Sequence, residues 1–335
     1  MQAVEDRTGA GSAARRNSLK ASASAFSPPS PFQRGFDVAF RGLSLALAGS
    51  VIALLLGIVY QVMAHAAPAI RDLGTHFLVE TKWNPNKQVF GVLPEIVGTL
   101  YTSCLALLGG GLLGVTTALV TSQGFLSRRW ELVLKNVIEL LAAIPSVVYG
   151  LWGIFVLIPI LRPVAKVLHE QFAFIPLFET PFAGPAILPA ALVLAVMILP
   201  TITAISREAL AAVPKRLPAA AYGLGATRWE VIFRVVIPTA SGGLFGALVL
   251  GLGRALGETM ALAMLVGNAN VYGWSLLSPG STIAALLANH FPEAGPVEIR
   301  ALMYAALVLL MMTLIVNLLG AAIMARATRG LKGLV

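Results

Sequence analysis

Residues 239–266 read TASGGLFGALVLGLGRALGETMALAMLV. The run is long enough to cross a bilayer core, which takes about 20 predominantly apolar residues as a helix. Only two full charges interrupt it, Arg254 and Glu258. On one continuous helix, residues four apart share a face, one turn from each other. The spacing therefore predicts an Arg–Glu pair at membrane depth. A charge at the bilayer centre costs about 2.5–3.5 kcal/mol on insertion scales, so such groups face a bundle interior or a wet cavity and find a partner. Arg254 keeps its proton at every accessible pH, and a permanent cation with several donors suits a small oxyanion. Glu258, four residues on, is expected to neutralise Arg254 at rest. The same pair also reads as a structural lock between helices. Gly253 and Gly257 make a GxxxG, as do Gly242 and Gly246, and such small residues let helix backbones approach closely.

The remainder of the chain supports the membrane reading. It has 335 residues, 57% of them hydrophobic and 12% charged, where a soluble domain carries about 25% charged residues. The apolar runs are continuous rather than alternating, which selects helices over a barrel. A net charge of +9 on a soluble chain would raise nucleic acid as a partner. Here the cations cluster at the ends of apolar runs, where they set topology. The one cysteine, Cys104, lies inside an apolar run, which excludes an internal disulfide and a multi-cysteine metal site.

Working outward, residues 1–41 read as a disordered basic tail rich in Ser, Ala and Pro. The expected spans are 42–64, 95–121, 136–161, 184–205, the quoted run, and 301–325. Pro145 should kink the third. Loops are expected at 65–94, 162–183, 206–238 and 268–299, with residues 326–335 as a C-terminal tail. Six spans place both termini on one side. With that threading, 17 Lys and Arg residues fall on the side of the termini and 6 on the other. The positive-inside rule then puts both termini in the cytoplasm. The expected architecture is an all-α integral membrane protein of six transmembrane helices.

The loop at 206–238 is the second informative stretch: SREALAAVPKRLPAAAYGLGATRWEVIFRVVIP. It predicts two short helices with a break near Gly225. In the second, Trp229, Ile232, Phe233 and Val236 recur at helical spacing. Thr227 with Glu230 three residues on is a capping-box pattern. A helix with such a face lies on the bilayer surface or docks into a partner.

From Ala219 onward the loop resembles the EAA loop of ABC-importer permeases: EAA, three residues, Gly, nine residues, then I-x-L-P. Gly225 and Pro238 match in place, and Ala220 stands at the second motif position. Ala219 departs, since the family usually has Glu there. The stretches GLGRALGETMA (251–261), IELLAAIPSVVYGLWGIF (138–155) and FGVLPEIVGTLYTS (90–103) narrow the resemblance to PstC-type permeases of the bacterial phosphate ABC importers. It covers about residues 40–325. The resemblance implies the type I importer permease fold in the inner membrane. It implies a PstA-type second permease, a dimer of ATPase subunits that uses the ATP, and a periplasmic phosphate-binding protein facing the outer loops. It also implies that the 206–238 loop couples to the ATPase, with Tyr222, Gly225, Thr227 and Trp229 at the contact, and that Arg254 and Glu258 lie on the substrate pathway.

Other classes are weighed on the same residues. The chain has no GxxxxGK[ST] loop and no HExxH, so neither P-loop ATP hydrolysis nor zincin chemistry is expected of it. His65, His76, His169 and His290 lack metal-ligand spacing. An ion-coupled secondary anion transporter would also use a buried Arg–Glu pair, but it has no ATPase to dock. A permease of the same architecture for sulfate or a phosphonate stays open, because Arg254 and Glu258 do not themselves select phosphate. Glu95 and Glu139 read as helix-end residues.

Overall fold

The computed structural model describes residues 31–332, with side chains to residue 326. Six helical segments are long and apolar enough to cross a membrane: Pro31–Leu78, Leu93–Ser122, Ser146–Phe172, Ile187–Ala211, Arg228–Leu256 and Pro296–Arg326. Clustering divides the chain into two units, residues 1–61 and 62–335. Helix α1, Pro31–Leu73, begins in the first unit and ends in the second. Residues 31–41, expected as disordered tail, are therefore helical. Residues 1–30 of that tail lie outside the described residues.

In the second unit a short 3-10 turn, Gly74–Leu78, leads to a two-stranded hairpin, β1 (Trp83–Asn84) and β2 (Val89–Phe90), with Trp83 opposite Phe90. The segment expected as an irregular loop is thus partly built. Helix α2 is Leu93–Ser122. Helix α3, Arg128–Ala143, is a separate amphipathic helix. Pro145 does not kink a span. It ends α3 and caps α4, Ser146–Trp152, with extended backbone at Ile144 and Pro145. The cause is steric, because a residue before proline is pushed out of the helical region. The third span accordingly starts ten residues later than expected, at Ser146 rather than Asn136, and continues through α5, Ile158–Phe172, into what was expected as loop. The Tyr149 hydroxyl donates to Leu141 O at 2.8 Å, adding to the Ile144 N–H that also donates there and strengthening the end of α3.

Helices α6 (Ile187–Ala211), α7 (Arg216–Gly223) and α8 (Arg228–Val231) follow. A π-helical turn, Ile232–Val236, runs directly into α9, Ile237–Leu256. A second π turn, Gly153–Leu157, joins α4 to α5. Each π turn ends two residues before a proline, Pro159 or Pro238. A proline ring clashes with the carbonyl four residues back, and widening that turn is the known way for a helix to absorb the clash. Short α10 (Met260–Leu265), α11 (Ile283–His290) and α12 (Pro296–Lys332) complete the order.

Helix α6 is the axis of the second unit, with 67% of its most apolar window buried. It packs on α2, α9 and α3. Lipid is as apolar as leucine, so burial alone does not drive these helices together and close van der Waals packing must. Gly110 of α2 shows how: a Cβ there would lie 2.6 Å from Ala195 O, so only glycine allows this approach. Val193, Ile198, Ile202, Leu262 and Leu265 fill the centre. The open N–H groups of α6 are met from a distant segment, with Ile187 N–H donating to Ser278 O and Leu188 N–H to Leu276 O. That segment, expected as an outer loop from 268 to 299, is largely buried from Ser275 to Leu286 and contains α11.

Candidate functional site

Arg254 stands in the last turn of α9. That helix does not continue through the quoted run. It ends at Leu256, and Gly257, Glu258 and Thr259 turn the chain before α10 starts. Arg254 and Glu258 therefore do not share a helical face, and among the described residues no ion pair joins them. The expectation of a pair is corrected for a plain geometric reason: the four-residue rule needs an unbroken helix. Instead, Arg254 Nη1 donates to Thr201 Oγ1 of α6 at 3.4 Å. Glu258 Oε1 accepts from Ala261 N–H at 3.5 Å, at the opening of α10. An acid there meets the positive end of a helix.

Both sides of the turn are anchored. Ala255 and Leu256 are buried before it, and Ala261, Leu262 and Leu265 after it. Gly150 and Gly153 of the third span let α10 close in, since a Cβ on Gly153 would sit 2.7 Å from Leu265. The expected GxxxG divides. Gly253 does pack, with Asn317 Oδ1 of α12 at 3.1 Å from where its Cβ would be. Gly257 packs against no other helix and serves as the C-cap of α9. Arg254 is thus an exposed cation at the end of a tightly packed apolar helix, held by one neutral hydroxyl.

Thr201 also borders a cavity of about 190 Å³ between α3 and α6. Its charged side chains are Lys135, Glu139 and Arg207. Nothing in the sequence pattern marked Thr201, a hydroxyl inside an apolar span. Its position after Pro200, where a helix is weakened, is the one signal available. Glu95 is another residue of note. It sits in the first turn of α2 as expected, yet it is 1% exposed and its Oε2 has no hydrogen-bond partner among the described residues.

At the far end of α9, residues 206–211 of the expected 206–238 loop instead continue α6, while the break at Gly225 takes the expected form. Helix α7 ends in a Schellman motif: Gly225 N–H donates to Tyr222 O and Ala226 N–H to Ala221 O. Gly225 has φ +85°, a backbone that glycine adopts without strain. Thr227 and Glu230 form the capping box, with Glu230 N–H donating to Thr227 Oγ1 at 3.4 Å and Thr227 N–H to Glu230 Oε2 at 2.8 Å. Beyond it the expected second helix is not separate but continuous with the span. Its expected apolar face splits, because the π turn changes the angular step. Ile232 and Val236 are buried, whereas Trp229 and Phe233 stack on each other in the open at 6.0 Å. Arg228 lies over the Phe125 ring at 3.8 Å and donates to Gln123 O at 2.7 Å, tying this end to α2. Ala219, Ala220 and Tyr222 are exposed on α7, and Pro238 is half-buried. Leu224, which no motif pointed to, is 89% exposed. A loop that holds Leu224, Tyr222 and Trp229 out into solvent presents an apolar surface to a partner.

Residues 110–333 match the family described as binding-protein-dependent transport system inner membrane component. The chain belongs to this permease family. A relative from Mesorhizobium japonicum, named phosphate transport system permease protein PstC, is 40% identical across 84% of this chain and 87% of its own. A protein of that name from Xylella fastidiosa is 36% identical across 88% and 92%. PstC 2 from Mycobacterium tuberculosis is 36% identical across 88% and 93%. Among solved structures, a permease of the bacterial alginate ABC transporter shares the fold, with TM-score 0.59, 17% identity and coverage of 87% of this chain and 97% of that one. The family and the six spans make this a multi-pass membrane permease of an ABC importer.

Proposed function

We propose that this permease is the PstC-type subunit that forms, with a PstA-type second permease, the pathway for ATP-driven import of inorganic phosphate across the bacterial inner membrane. A periplasmic phosphate-binding protein delivers the anion, and a dimeric ATPase subunit docks on the loop 206–238. Arg254 carries the reading. It is a permanent cation in an apolar helix, and the chain offers it a hydroxyl rather than a carboxylate. Phosphate near neutral pH carries one to two charges and accepts charge-assisted hydrogen bonds from a guanidinium. Glu258 does not neutralise Arg254 in this arrangement, so the passing anion supplies the counter-charge. A single hydroxyl partner leaves the remaining guanidinium donors for it.

The exposed surface around Leu224, Tyr222 and Trp229 supports ATP coupling over an ion-driven carrier, which has nothing to dock there. The relatives named for phosphate transport support phosphate over sulfate or a phosphonate. The test is uptake of labelled phosphate by proteoliposomes that hold the full complex and binding protein, with ATP inside. ATP-dependent uptake that unlabelled phosphate suppresses and sulfate does not is expected. No ATP-dependent phosphate uptake by a well-assembled complex would overturn the assignment.

A further inference from the structure

The cavity between α3 and α6 is built from two helical stripes. On α3 these are Lys135, Ile138, Glu139 and Ala142, and on α6 Pro200, Thr203, Ala204 and Arg207. Both follow i, i+3, i+4, i+7, one face of a helix. Its charges do not cancel. Two cations, Lys135 and Arg207, face one acid, Glu139; Lys135 and Glu139 approach to 3.7 Å as an exposed pair, and Arg207 has no ion pair or hydrogen bond among the described residues. A half-buried guanidinium that pairs with no acid leaves its donors to an anion or to water.

Thr201 belongs to both places. Its oxygen accepts from Arg254, and its own hydroxyl hydrogen remains to donate. The Thr203 and Thr121 hydroxyls each donate to backbone carbonyls, Gly114 O at 3.3 Å and Thr117 O at 2.8 Å. They leave the cations as the dominant donors. Six residues of helix separate Thr201 from Arg207, which is about 9 Å along the axis at 1.5 Å per residue.

We infer that this cavity is a second station for a phosphate group: the transported anion passes from Arg254 by way of the Thr201 hydroxyl to Arg207, with Lys135 as the second cation. This rests on the phosphate-import reading above. Two stations of moderate strength, rather than one strong site, let an ion enter and leave. A phospholipid headgroup offers the same chemistry, so the experiment separates the two sources.

Two measurements decide it. The first replaces Ala204 by Cys in a Cys104→Ser background and follows labelling of this chain with a methanethiosulfonate reagent, in phosphatidylcholine nanodiscs holding the full complex. Inorganic phosphate at ten times its dissociation constant should slow labelling about tenfold, and adding Arg207→Gln should abolish that protection. The second measures uptake. Arg207→Gln with Lys135→Gln should lower the rate by at least about tenfold, the loss expected for charged hydrogen bonds, and Arg207→Lys should restore most of it. Labelling that phosphate leaves unchanged in an assembled complex overturns the station. So does slowing caused by phosphatidylglycerol discs without phosphate, which assigns the cavity to a lipid headgroup. If the native complex fails to import phosphate with ATP, the import reading fails by itself, and the labelling still reports on the cavity. If the double variant does not assemble, the labelling arm decides alone.

Discussion

Two glycines, Gly225 and Gly257, each stand where one helix stops and another is about to start, and the chain turns at them by different means. At Gly225 the backbone is left-handed, and the bonds that close the turn come from Ala221 and Tyr222, a few residues away. At Gly257 the backbone is ordinary, with φ −93° and ψ 0°. A side chain there would meet nothing nearer than 3.8 Å. That turn is imposed from outside, by burying Leu256 on one side and Leu262 and Leu265 on the other. The first is a local module that keeps its shape wherever it is carried. The second is a joint whose geometry follows α4, α6 and α12. In the proposed function the first turn belongs to the docking loop and the second to the transport path, which must open and close.

The sharpest break of this comparison lies on the two sides of the Gly257 turn. Replacing Arg254 by Ala in the assembled complex should cut phosphate uptake at least about tenfold, the scale of a lost charge-assisted hydrogen bond. Glu258→Gln should change uptake by less than about threefold, since its Oε1 holds one backbone N–H that an amide oxygen also holds. Both rates are read against binding-protein-stimulated ATP hydrolysis. A larger loss at Glu258 than at Arg254 would restore an acid–base pair as the working unit.

Next come the glycines themselves. Gly225→Val places a β-branched residue at positive φ, a strain of about 1–3 kcal/mol. ATPase affinity for the membrane subunits should fall about five- to hundredfold by the same conversion. Gly257→Ala should stay within about 0.5 kcal/mol, because its backbone is one any residue adopts. Equal effects at the two sites would erase the distinction between a local turn and a packed one.

These outcomes bear on how far the amino-acid sequence reveals the molecule. The six spans were legible because bilayer thickness sets their length, and the turn at Gly225 and the capping box at Thr227 because both are short-range chemistry. The end of α9 at Leu256 was not legible. Residues 251–261 hold no proline, their glycines Gly251, Gly253 and Gly257 read equally as packing positions and as helix ends, and α10 packs on Gly150 and Gly153, about a hundred residues away. The break at Pro145 was placed but underestimated, and the π turns before Pro159 and Pro238 rotated faces that a constant 100° step assigns wrongly. Arg254 stood out as a charge in an apolar run. Thr201 was not, because a threonine that bonds across two helices looks like any other threonine in an apolar run.

A smaller effect belongs to the local side of the comparison. Thr227→Ala removes the hydroxyl half of the capping box and should cost about 1 kcal/mol. It should loosen α8 alone, read as faster hydrogen exchange in residues 226–234 with the rest of the chain unchanged. Spread of that loosening into α9 would show that the π turn does not insulate the span from its own start.

The smallest effect tests a third locally closed turn. Glu80 Oε1 accepts from Thr81 N–H at 2.9 Å and Lys82 N–H at 3.1 Å, just before the hairpin. Those two bonds hold its carboxyl below the ordinary value of 4.5, with His76 and Lys82 charges adding to the effect. A carboxyl with a depressed value contributes stability that is present above 4.5 and is lost as pH falls through the lower, folded value. The Glu80 side chain is partly exposed, so solvent screens part of the contribution. Hydrogen exchange of residues 79–92, corrected for the intrinsic rate, should be slower in the native chain than in Glu80→Gln at pH 7, and the two should converge as pH falls below the lowered value of the folded carboxyl. A gap that widens on acidification would have the wrong sign for a carboxylate held by backbone donors, and the turn would then owe its shape to Phe77 and Trp83 packing instead, as the Gly257 turn owes its own to Leu256 and Leu262.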